Sequence, residues 1–150
     1  MKFIIALVVV LAAVASATEI WEGKKYKNYE SENFEEYMKE LGVGYWTRLA
    51  GNRVSPTVEL KKLPDGKYQL LTKSTFKDST IEFELGKEFD ETTLDGRDVK
   101  SVITLDGNKL THEMSGDPPS TIIREFGDKE MNATMTVKNV VCTRKYRVQE

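Results

Sequence analysis

Arg144 and Tyr146 stand two positions apart in the run Val140-Val141-Cys142-Thr143-Arg144-Lys145-Tyr146-Arg147. The run reads as a strand. At period two, Val140, Cys142, Arg144 and Tyr146 share one face, and Val141, Thr143, Lys145 and Arg147 share the other. The first face is apolar except for a guanidinium and a phenol. If that face looks inward, the guanidinium needs an anionic partner, because an unpaired charge away from water is costly. A guanidinium fork and a hydroxyl one strand step apart suit a carboxylate.

Little else in the chain is equipped for covalent chemistry. His112 is the single histidine, so neither a metal centre nor a Ser-His-Asp arrangement has the company it needs, and it is expected at the surface or rim. No nucleophile motif or nucleotide loop accompanies it, so no catalytic residue, metal or cofactor is expected. Cys142 is the single cysteine, which excludes an intrachain disulfide framework; on an apolar face it is expected to be an inert core thiol. Asn132-Ala133-Thr134 is a glycan acceptor sequence, placed within or beside an expected strand.

The elements that must hold Arg144 and Tyr146 emerge from the rest of the pattern. Residues 1–17 combine Lys2, an apolar run from Ile4 to Val14 and the small residues Ala15-Ser16-Ala17, which is the form of a secretory signal peptide cleaved after Ala17. The run is shorter than the roughly 20 residues of a spanning helix. The remainder of the chain, 18–150, suits one domain with one core. Removing Lys2 leaves 21 basic against 24 acidic residues, a balance with no footprint for nucleic acid.

Turn signals at Asp65-Gly66, Leu85-Gly86, Asp95-Gly96, Asp106-Gly107, Gly116-Asp117 and Gly127-Asp128 recur mostly at the spacing of short antiparallel strands. The segments between them are candidate strands: Thr80 to Leu85 with Ile81, Phe83 and Leu85 on one side, Val99 to Leu105, Lys109 to Met114, Thr121 to Phe126 and Met131 to Val137. Such a run closes into a barrel or folds as a sandwich. One segment differs. Phe34, Tyr37, Met38 and Leu41 repeat at helical spacing, with Asn33 and Glu36 placed as a capping box. Gly42 and Gly44 end that helix, and Tyr45, Trp46, Arg48 and Leu49 form a second short one before Pro56.

The run Glu32-Asn33-Phe34-Glu35-Glu36-Tyr37-Met38-Lys39-Glu40-Leu41-Gly42-Val43-Gly44 resembles the N-terminal signature of the fatty-acid-binding protein family, the intracellular lipid-binding proteins of the calycin superfamily. Lys73-Ser74-Thr75-Phe76-Lys77, Leu85-Gly86-Lys87-Glu88-Phe89-Asp90-Glu91-Thr92, Asp95-Gly96-Arg97, Val99-Lys100-Ser101 and Cys142-Thr143-Arg144-Lys145-Tyr146 extend the resemblance, in the family's order, over essentially all of 18–150.

The resemblance implies an all-β fold: a ten-stranded up-and-down antiparallel β-barrel, or β-clam, with a helix-turn-helix lid over an internal cavity. It implies a long-chain fatty acid or similar apolar carboxylate as ligand, its head held by Arg144, Tyr146 and a second arginine matching Arg124. Period two supports that placement, since Ile122, Arg124 and Phe126 share a face. Phe76 and Asp95 match portal positions, and Phe34, Tyr37 and Met38 match lid residues that pack on the cavity or barrel.

The chain departs from the family in three places. It carries the signal-like segment, it has Lys24 and Tyr26 where the family has Gly-x-Trp, and Gly116-Asp117-Pro118-Pro119 replaces a polar hairpin. The expectation is a secreted, extracellular, monomeric and non-catalytic carrier, with transient membrane contact during delivery. A retinoid or other hydrophobic-ligand carrier, or a secreted storage or nutritional protein, are the alternatives.

Overall fold

The computed structural model describes residues 18–150; the signal-peptide expectation for 1–17 lies outside the described residues. Ten strands form one antiparallel, nearly closed barrel. They are β1 (Tyr26–Glu32), β2 (Thr57–Lys62), β3 (Tyr68–Lys73), β4 (Ser79–Phe83), β5 (Phe89–Thr92), β6 (Asp98–Asp106), β7 (Lys109–Met114), β8 (Ser120–Phe126), β9 (Glu130–Val137) and β10 (Val140–Val148). Each strand pairs with its sequence neighbour, except that β1 closes the sheet against β10 while β4 and β5 stand at its two ends. Phe83 and Phe89 stack across that opening with ring centroids 5.9 Å apart.

The period-two reading places β6 to β10 within a residue or two of their observed bounds. Hairpins need backbone of positive φ at their tips, which Gly107 (φ 60°) supplies between β6 and β7. One expectation fails at Leu85. β4 ends at Phe83, and Leu85 lies in the turn beyond it, exposed rather than beside Ile81 and Phe83. The alternation runs past the strand because the Leu85-Gly86 turn needs Gly86 at φ 74° and takes Leu85 out of the ladder.

Two helices interrupt the strands between β1 and β2: α1 (Phe34–Glu40) and α2 (Tyr45–Arg53). Helix α1 carries Glu35 and Glu36 in its first turn and Lys39 in its last, the order the backbone dipole favours. It ends at Gly42, whose φ of 80° bends the chain so that the Val43 N–H reaches the Met38 carbonyl. The capping box does not form. Asn33 sits at φ 65° and its side chain donates instead to the Val141 carbonyl at 3.2 Å, tying the helix start to β10.

Buried residues gather in two clusters. Trp21, Tyr26, Leu60, Ile103, Leu110, Phe126 and Met131 belong to the larger one, at the floor of the barrel. Tyr37, Met38, Leu41, Val43, Val137 and Cys142 form the smaller one, where α1 packs on the inner face of β9 and β10. Tyr26 takes up the place where the resemblance expects a tryptophan. It is fully buried, its hydroxyl donates to the Gly127 carbonyl at 2.9 Å, and its ring meets Phe126 edge-on. Burial first, and then the Asp128 carboxylate, raise its pKa to about 12.

Candidate functional site

Between the barrel floor and the lid lies a cavity of about 210 Å³, so the interior is not packed solid. Its lining is mostly apolar, with Phe34, Tyr37, Met38, Leu70, Ile122 and Met135 on the walls and a few polar groups among them. Arg124, Arg144 and Tyr146 all reach it.

The sheet register brings the two arginines together. Arg124 on β8 and Arg144 on β10 both pair with Ala133 on the strand between them, so the three residues form one rung on the inner face. The two backbones are two strand spacings apart, about 10 Å. Ala133 is buried and its single methyl leaves the space above it open to the longer neighbours. Tyr146 lies one inward step further along β10 and is 5% exposed.

Arg144 is 7% exposed, as the alternation requires. Its Nε donates to Ser31 Oγ at 2.9 Å and one terminal nitrogen donates to Asn28 Oδ1 at 3.1 Å. Phe34 from the lid covers the guanidinium, with 4.0 Å between its carbon and the ring centroid. These contacts orient the fork without neutralising it, and among the described residues no carboxylate lies within ion-pair distance. Asn28 lies opposite Tyr146, and an irregularity of β1 between Asn28 and Glu30 brings Ser31 rather than Glu30 opposite Arg144.

Arg124 is half-buried and lines the cavity. Burial lowers its pKa from the ordinary value, and the fields of Tyr146, Glu91 and Tyr37 act in the opposite direction. One terminal nitrogen is 3.4 Å from His112 Nδ1. On the far side of that ring, Nε2 is 2.9 Å from Glu91 Oε1, without the alignment of a good hydrogen bond.

His112 therefore overturns the expectation of a surface or rim residue: it is 3% exposed and faces the cavity. Burial lowers its pKa most, Glu91 raises it, and Arg124 lowers it further, leaving the ring neutral near pH 7. Sequence reasoning also missed Glu91, which is 8% exposed. Period two held the signal for both, because His112 alternates with buried Leu110 and Met114, and Glu91 with half-buried Phe89.

The portal positions come together at the cavity mouth. Phe76, in the turn between β3 and β4, is 47% exposed and lines the cavity together with Leu94 and Asp95 from the β5–β6 turn. Asp95 pairs with Arg97 at 2.6 Å. Burial raises the Asp95 pKa, but hydrogen bonds from Arg97 and Thr93 outweigh it and the net shift is downward. On the lid side, Thr47, Gly51 and Val54 complete the rim. Cys142 is fully buried beneath α1, where burial raises its thiol to about 11 and keeps it protonated. Asn132 is exposed on the outer face of β9.

The model of the lipocalin / cytosolic fatty-acid binding protein family matches residues 22–149. This chain belongs to that family. It is 50% identical over 128 residues to the muscle fatty acid-binding protein of Schistocerca gregaria, covering 85% of this chain and 96% of that one. The structure of the fatty acid-binding protein from Drosophila melanogaster brain is 62% identical, with a TM-score of 0.81 over 85% of this chain and 98% of the other. The Schistosoma mansoni fatty acid binding protein in complex with arachidonic acid is 41% identical, with a TM-score of 0.81 over 84% and 94% of the two chains. All three relatives are named as fatty acid-binding proteins, which agrees with the expectation of a non-catalytic binding protein.

Proposed function

We propose that this family member is a non-catalytic carrier that holds long-chain fatty acid with its carboxylate between Arg124, Arg144 and Tyr146. The observation that carries the reading is the rung Arg124–Ala133–Arg144, which puts two guanidinium groups on the inner face of the barrel at one level. A charge-assisted hydrogen bond to the carboxylate contributes on the order of 1.5–3 kcal/mol. Each methylene withdrawn from water adds about 0.8 kcal/mol. The tail thus supplies most of the affinity, and the head group sets orientation and selects acids over alcohols.

Export of this carrier is part of the proposal, resting on the signal-like composition of 1–17. Delivery by transient membrane contact is supported by α2, where Tyr45 is 60% and Trp46 77% exposed, side by side at the outer surface of the lid. Aromatic rings with one apolar and one polar end favour the membrane interface. The test of the ligand class is displacement of a fluorescent fatty-acid probe by oleic acid and by oleyl alcohol. The acid should displace at a concentration at least about tenfold lower; equal potency would refute the carboxylate site. Export is tested by N-terminal sequencing of protein from the medium of expressing cells, where Thr18 is expected first and a retained Met1 would refute cleavage.

A further inference from the structure

Among the described residues, six charged side chains line the cavity: Lys77, Glu91, Asp95, Arg97, Arg124 and Arg144. Three of them belong to the mouth. Asp95 and Arg97 pair with one another there, and Lys77 is exposed beside them. The interior holds the other three, two cations and one anion. Among the described residues, the hydrogen-bond partners of Arg144 are both neutral, Ser31 and Asn28. Arg124 has His112, and behind His112 stands Glu91.

The imidazole sets how these two charges communicate. A neutral ring with its proton on Nε2 faces the Glu91 carboxylate and leaves the Nδ1 lone pair to accept from Arg124. Glu91, His112 and Arg124 thus stand in a row across β5, β7 and β8, with the anion one ring-width behind the cation. The Glu91 side chain is 6% exposed, so little water screens it. It also makes no contact within ion-pair distance to either arginine among the described residues. Glu91 acts on Arg124, and on anything bound to Arg124, at a distance.

We propose that Glu91 is a specificity-determining residue that holds the interior at one net positive charge and so sets how strongly the cavity prefers a carboxylate over a neutral head group. This inference rests on the carrier reading. One bound carboxylate brings the interior to neutrality. With Glu91 neutralised, the two guanidinium groups lack an internal counter-charge and the incoming carboxylate supplies more of it. Acid binding therefore tightens in Glu91→Gln, while a neutral ligand of the same length is unaffected.

The test measures displacement of the fluorescent fatty-acid probe by oleic acid and oleyl alcohol on the 18–150 chain and its variants. Glu91→Gln should strengthen oleic acid binding by about tenfold and change oleyl alcohol binding by less than about twofold. An acid-to-alcohol ratio that stays constant or falls would overturn the assignment. Arg124→Gln and the double variant Glu91→Gln/Arg124→Gln complete a cycle, and the double variant leaves neither buried charge unmatched if a single change prevents folding. Arg124→Gln should weaken oleic acid with either residue at position 91, and the double variant should bind it more tightly than Arg124→Gln alone, because Glu91 repels the carboxylate whether or not Arg124 is there; a double variant no tighter than Arg124→Gln would overturn the assignment. A parent chain that fails to prefer oleic acid would refute the carrier reading itself, whereas a parent that prefers it and a Glu91→Gln that does not sharpen the preference would refute only the role of Glu91.

Discussion

Arg144 is held by two neutral hydrogen bonds and an aromatic lid rather than by a carboxylate. Its removal therefore orphans no buried anion, the usual reason that breaking a buried pair is destructive. Arg144→Gln should weaken fatty-acid binding roughly 10- to 150-fold, corresponding to one lost charge-assisted interaction. Thermal unfolding followed by circular dichroism should show a midpoint within a few degrees of the parent; a collapse of stability would show that the residue is structural. His112 makes a different prediction. Its folded pKa is lowered from 6.5, chiefly by burial, so below that pH the unfolded chain takes up a proton that the folded chain refuses. Stability contributed by the neutral ring is complete above about 6.5 and is lost as pH falls toward the depressed folded value. Denaturant midpoints for the parent and His112→Gln should converge or cross between pH 7 and pH 5, and parallel curves would contradict this. The inward face of Arg144 and Tyr146 was legible in the sequence because a guanidinium interrupts an alternating apolar run. The depth of His112 was not, because its neutralising surroundings come from β5 and β8, distant in sequence and joined only by the sheet register.

The two lid helices differ in how they are held. Helix α1 buries Tyr37 and Met38 against β9 and β10, while α2 has no fully buried residue and presents Trp46 to solvent. Local opening should track that difference. Hydrogen exchange read by mass spectrometry should show Tyr45–Arg53 exchanging well before the strands β9 and β10, with ligand slowing it; protection of α2 equal to β10 would contradict a lid held mainly through α1. The contact between the helices is tight at one point, where a Cβ placed on Gly51 would lie 3.1 Å from Met38 Sδ. The methionine is flexible enough to yield. Both helices were readable from the sequence through the 3.6-residue period and the glycines between them. The start of α1 was not, since Asn33 uses its amide on β10, a tertiary contact that outcompetes the local cap.

Residues 18–150 form a barrel with two clusters of buried residues, one at its floor and one under α1, and a cavity that touches both. A ligand that spans the cavity joins the two groups. By mass action, a fatty acid present at 100 times its Kd should stabilise the fold by about 2.7 kcal/mol, raising the midpoint by roughly 5–10 °C for a domain of this size. Scanning calorimetry on lipid-stripped and reloaded protein measures it, and an unchanged midpoint would mean that the cavity is not the binding site. Barrel closure could not be chosen over a sandwich from strand spacing alone, because both architectures use the same hairpins; the β1–β10 pairing that decides it joins the two ends of the domain. The most direct test of the account is nuclear magnetic resonance of palmitate labelled at its carboxyl carbon and bound to the protein, tracked through a pH titration. Held by Arg124, Arg144 and Tyr146, the bound carboxylate should stay ionised well below the ordinary carboxylate range near about 4. A bound signal that titrates within that range or above it would place the head group in water or in an apolar wall, and would contradict an internal cationic site.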